Sequence, residues 1–156
     1  MHHFRLSRYL KGEPPSAPLD IAALSTLTSL YVTWLRAGTA CEHLSICLRR
    51  GFSDRGVALF ETACGQVRMT DALLEVVRQQ APRAPLVAQL RRDLLLAIGS
   101  WLEDARQELP LAAQHLRSSA GGSSDAVSSA LQQLEQALSG ATTASLPPVT
   151  PRRRAG

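Results

Sequence analysis

Residues 85–108 read PLVAQLRRDLLLAIGSWLEDARQE. Leu86, Val87, Leu90, Leu94, Leu95, Ile98, Trp101 and Leu102 recur at intervals of three and four, which sets them along one face of a helix. Pro85 stands in the first turn, where its missing N–H would have had no partner anyway. A strand would need alternation with a period of two, and the segment has none. A long amphipathic helix is the expectation, and a helix of this kind needs other helices to cover its apolar face.

The same periodicity continues outward. Ile21, Leu24, Leu27, Leu30, Tyr31, Trp34 and Leu35 mark a helix with Asp20 as a plausible N-cap and Gly38 as its stop. Thr39 and Glu42 have capping-box spacing, opening a second helix with Leu44, Cys47 and Leu48 that ends at Arg49, Arg50 and Gly51. Absorbing Gly38 would merge these two pieces, at about 1 kcal/mol relative to alanine. Ser53 or Asp54 can cap a third helix, with Val57, Leu59, Phe60, Cys64 and Val67 on more than one side, as suits a central, wrapped position. Thr70 and Asp71 offer another start before Leu73, Leu74, Val76 and Val77, and Pro110 restarts a short helix over Leu111 and Leu116. After SSAGGSSD (118–125), Val127, Leu131, Leu134 and Leu138 form a narrow stripe that docks one more helix.

The chain has 156 residues, 45% of them hydrophobic and only 4% aromatic, so one core of Leu, Val, Ala and Ile is expected. Lys11 is the sole lysine among 17 basic residues, a skew that dilutes the net charge of +4 as a sign of a nucleic-acid partner. Acidic residues are interleaved with the arginines, and no basic stripe with aromatics appears, so no nucleic-acid partner is predicted. The longest strictly apolar run is Leu94 to Ile98, too short for a transmembrane anchor, and the N-terminus has no secretory pattern. The expected organisation is a flexible basic arm over 1–19, one all-helical domain over 20–138 and a disordered Pro/Arg-rich tail over 139–156. The fold class is all-α, a globular bundle of six to eight helices around the wrapped central one. The three cysteines, an odd number without a secretory signal, read as reduced and partly buried thiols.

Chemistry for catalysis is sparse. There is no Gly-x-Ser-x-Gly elbow, no P-loop and no dinucleotide fingerprint, so an enzyme is not expected. His43 and Cys47 share a helical face, but Cys41 does not and a fourth ligand is lacking, so neither metal nor cofactor is expected. His115 lies in AAQHLRSSAGG, near the pattern of a phosphotransfer histidine, yet Arg117 is two positions on rather than three and points elsewhere. An exposed helical histidine is the reading kept.

Residues 51–67, GFSDRGVALFETACGQV, carry Arg55-Gly56 followed by Val57-Ala58-Leu59-Phe60. This run resembles the first homology motif of the B-cell-lymphoma-two family of apoptosis regulators, in its divergent, viral form. Ser100-Trp101-Leu102-Glu103-Asp104 is similar to the start of that family's second motif, and Trp34-Leu35-Arg36-Ala37-Gly38 to part of its third. The resemblance implies a non-enzymatic protein that sequesters pro-death amphipathic helices in a surface groove. Leu44, Leu48, Phe52 and Phe60 would then form floor and rim, and Arg55 would face an acid of the partner. On the residues alone, the four apolar side chains read as core and Arg55 as a surface charge of the capping region; Phe52 suits groove and core equally, and Phe60 suits the core better. The alternative is a generic helical adaptor or chaperone-like interaction protein, viral or bacterial. In either case the partner is an amphipathic helix. The expected localisation is cytoplasmic, with contact to mitochondria through partners, and the nucleus is compatible.

Overall fold

The computed structural model describes residues 18–51, 53–119 and 124–143. They form four α-helices, α1 (Pro18–Arg49), α2 (Ser53–Gln79), α3 (Pro85–Ser119) and α4 (Ser124–Thr143). No strand occurs among the described residues. The all-α expectation holds, and the count of six to eight helices is corrected to four. Helix extends beyond 20–138 at both ends, and the remaining arm and tail lie outside the described residues.

Three expected breaks are absorbed, each for a local reason. Thr39 is not a cap: its hydroxyl donates to the Leu35 carbonyl at 2.9 Å, inside its own helix. The buried face runs through the Gly38 position without a break, from Leu30 and Trp34 to Ala37 and Leu44. Thr70 likewise donates to the Gln66 carbonyl at 2.8 Å and is fully buried, so α2 continues past it. Pro110 removes one i→i−4 hydrogen bond from α3, a penalty of about 3 kcal/mol. The apolar stripe continues past it, with Leu109, Ala113 and Leu116 all buried. At about 1.5–3 kcal/mol per large apolar side chain, that stripe outweighs the penalty.

Gly51 alone among the described residues has a positive φ, 72°, and closes α1 with its N–H on the Leu48 carbonyl at 3.1 Å. The short turn makes α1 and α2 antiparallel neighbours. α2 packs against α1, α3 and α4, whereas α1 and α4 do not pack together. The two central helices are therefore α2 and α3, with α1 on one side and α4 on the other. Phe60, Leu27, Leu30, Leu74, Leu94, Ile98, Leu116 and Leu134 are the largest fully buried side chains among the described residues, and Phe60 is the only aromatic ring among them.

Helix ends are satisfied across the bundle. Asp20 is buried in the first turn of α1, and its Oδ1 accepts the backbone N–H of Arg83 at 2.7 Å and of Ala84 at 3.0 Å, just before α3. Arg91 of α3 donates from Nε to the Val77 carbonyl at 2.9 Å and from Nη2 to the Arg78 carbonyl at 2.6 Å. That guanidinium meets carbonyls which the end of α2 leaves without intrahelical partners. α4 is tied down by Val127, Leu131, Leu134 and Leu138, the four stripe positions, all buried. Arg68 adds a bond to Gln133 Oε1 at 2.7 Å, and Arg106 Nη2 reaches the Leu138 carbonyl at 3.4 Å. Burial pushes the Asp71 carboxyl on α2 upward, with Arg106 and Arg78 opposing the shift. No helix of the described residues is long and apolar enough to cross a membrane.

Candidate functional site

α1 from Trp34 onward and α3 from Ala97 onward leave a valley between them of about 1080 Å³. The α1 wall is Trp34, Gly38, Cys41, Glu42, Leu44, Ser45, Leu48 and Arg49; the α3 wall runs from Ala97 and Ser100 through Trp101, Asp104, Ala105, Glu108 and Leu109 to Leu111, Ala112 and His115. The floor is core-like, because Trp34, Leu44, Ala105 and Leu109 are buried. Leu48 and Trp101 are partly buried above it, and Leu111 stands 65% exposed at one end. Tyr31 meets Trp34 edge-on, with ring centroids 6.1 Å apart, which holds that indole against α1.

The valley exists because of where α4 packs. α4 covers the side of α3 shared with α2, so no described helix covers the side of α3 shared with α1. Small residues at Gly38, Ala97, Ala105 and Ala112 keep it open. At 1.5 Å per residue, the span from Trp34 to Arg49 gives a trough roughly 23 Å long, about four helical turns. A trough of that length matches the dimensions of a four-turn helix.

Of the residues expected at a groove, the structure brings Leu44 and Leu48 into this valley. Phe60 is elsewhere: it is fully buried in the core of α2. Arg55 is exposed in the first turn of α2 and is not among the lining residues. Phe52 lies outside the described residues. Gly56 is helical, and a Cβ there would stand 2.6 Å from Leu116 Cδ2, so α3 passes close over the start of α2.

The lining includes residues that sequence reasoning did not single out for this role. Trp34 and Trp101 are visible in the sequence as members of apolar faces. Asp104 and Glu108 are a turn apart beside Trp101 and Ala105, the one available signal that an apolar stripe has an acidic border. Glu42, Asp104 and Glu108 have no hydrogen bond or ion pair among the described residues. Arg49 is occupied along its own helix, donating to Ser45 Oγ at 2.9 Å.

Cys41 and Cys64 are held in their protonated form by burial. Burial, reinforced by Glu108, pushes the Cys41 thiol up to about 11. Burial, reinforced by Cys41, pushes Cys64 up to about 12. Both therefore stay protonated at neutral pH, when the thiolate is the nucleophile and metal ligand. No group of three or more His, Cys, Asp or Glu fit to hold a metal occurs among the described residues. His115 is exposed on the rim of the valley, and its carbonyl accepts from Ser118 and Ser119.

No protein-family model, curated protein or solved structure matches the chain.

Proposed function

We propose that the chain is a non-enzymatic interaction protein that docks an amphipathic helix of a partner in the valley between α1 and α3. The observation that carries the reading is the valley itself, four turns long, with Leu44 and Leu109 in its floor and Leu48, Trp101 and Leu111 left available above. Interfaces draw their binding energy from a few aromatic and large apolar anchors set in pockets, and Trp101 and Leu111 are of that kind.

A narrower version makes the bound helix a pro-death one and the chain an apoptosis regulator, as the motif resemblance implies. Leu44 and Leu48 support it. The position of Arg55 favours the broader reading, since an arginine that reads the partner's acid belongs beside the groove. The broader reading is that of a helical adaptor or chaperone-like protein.

Titration with fluorescent amphipathic peptides, pro-death helices among them, tests both. Saturable binding that Trp101→Ala and Leu48→Glu weaken, with circular dichroism unchanged, supports helix docking. Binding restricted to pro-death helices and lost in Arg55→Ala would establish the narrower version. Absence of saturable binding to every peptide at tens of micromolar would refute both.

A further inference from the structure

We infer that the helix docked between α1 and α3 is cationic along its flanks, an inference that rests on the helix-docking reading above. The chain as a whole carries a net charge of +4. The valley reverses that sign. Glu42 stands on the α1 wall and Asp104 and Glu108 on the α3 wall, so a helix lying between them meets carboxylates on both sides. None of the three is hydrogen-bonded or ion-paired among the described residues. Arg49, the one arginine in the lining, donates to Ser45 and keeps its positive charge, so three carboxylates against one guanidinium leave the lining net acidic.

An apolar floor between two acidic borders selects by repulsion as well as attraction. A helix with acidic flanks would set like charges opposite one another on both sides, whereas lysine or arginine flanks pair with carboxylates that have no partner among the described residues. The overall positive charge of the chain works against any cationic ligand that does not find the valley. A preference for cationic helices is therefore a property of this site and not of the net charge.

The experiment uses the full chain and two fluorescein-labelled peptides. They share one leucine and tryptophan stripe at helical spacing and differ only in their flanks, lysine in one and glutamate in the other. Fluorescence anisotropy should show the lysine peptide binding about tenfold more tightly or better, the scale expected of a few partly screened charge pairs. The preference should shrink as salt rises from about 50 to 300 mM, where the screening length falls below about 10 Å. The variant Glu42→Gln/Asp104→Asn/Glu108→Gln should remove it without weakening the glutamate peptide. These residues are exposed, so circular dichroism should show the variant folded. Equal binding of the two peptides, or a preference that survives the triple variant, overturns the inference and leaves helix docking standing. Failure of both peptides to bind overturns the docking reading and the inference together. Self-association of the chain that the triple variant abolishes, read by sedimentation, would assign the valley to a second copy and overturn the inference.

Discussion

Asp20 Oδ1 accepts the backbone N–H of Arg83 at 2.7 Å, across 63 positions of sequence. The same oxygen accepts the N–H of Ala84, so one carboxylate from α1 satisfies two donors at the threshold of α3. In this way α1 and α3 start together, and the seam that later opens into the valley is closed at its beginning.

Asp20→Ala should therefore destabilise the whole bundle. Losing a cap costs about 0.5–2 kcal/mol, and leaving buried donors unsatisfied adds to it. About 2 kcal/mol in a domain of this size corresponds to a fall in Tm of about 6–10 °C. Asp20→Asn keeps an acceptor oxygen and should recover most of that fall. Thermal circular dichroism of the two variants decides the matter, and an Asp20→Ala protein that melts with wild type would show the bonds to be incidental.

Phe60 and Trp101 should separate stability from binding. Phe60 is fully buried, and its truncation to alanine should cost about 3–5 kcal/mol. Trp101 is only partly buried at the valley, so Trp101→Ala should lose partner-peptide affinity by about tenfold or more while losing far less stability. Urea unfolding beside anisotropy titration measures both quantities, and the reverse pattern would move the binding surface to α2.

The thiols set an alkaline limit. Cys41 and Cys64 rise from 9.0 in the unfolded chain to about 11 and about 12 when folded. The folded state then holds these protons more tightly than the unfolded one. Their contribution to stability is complete below pH 9 and is lost as pH climbs through 11 to 12. In a Cys47→Ser background, neither thiol should react appreciably with a disulfide reagent at pH 8 until urea is added. Prompt stoichiometric reaction of the native protein would contradict the burial that raises them.

Two helical glycines in α2 should respond with opposite signs. At Gly65 a Cβ meets nothing within 4 Å, so Gly65→Ala should stabilise by about 0.5–1 kcal/mol through helix propensity. At Gly56 the Cβ would press on buried Leu116, and repacking costs of about 1–3 kcal/mol exceed that gain. Gly56→Ala should lower Tm and Gly65→Ala raise it. Two increases would mean that Leu116 swings aside freely.

The helical class is legible because burial in this chain is periodic. The stripe Val127, Leu131, Leu134 and Leu138 is buried as its spacing implies. Helix ends were harder to read, because Thr39 and Thr70 have two uses for one hydroxyl. Each bonds back into its own helix, a choice settled by whether the apolar face continues beyond it. Asp20 shows the same limit: its capping chemistry is plain in the sequence, yet the helix it serves is α3 rather than α1. The valley lies further from reach. Leu44 and Phe60 are both apolar residues on periodic faces, and what separates a groove floor from a core is which helix covers them. Coverage depends on α4 choosing the α2 and α3 side, and no local pattern states that choice.

The absence of packing between α1 and α4 makes the bundle divisible. α4 is held by one narrow stripe, by Arg68 to Gln133 and by the Arg106 contact with the Leu138 carbonyl, all directed to α2 and α3. It can lift away while the three-helix remainder, with both walls of the valley, stays closed. Native-state hydrogen exchange should resolve α4 as a separate opening unit of lower free energy than the α2 and α3 core. The protein would then pass through a state that has released α4 and keeps both walls of the valley.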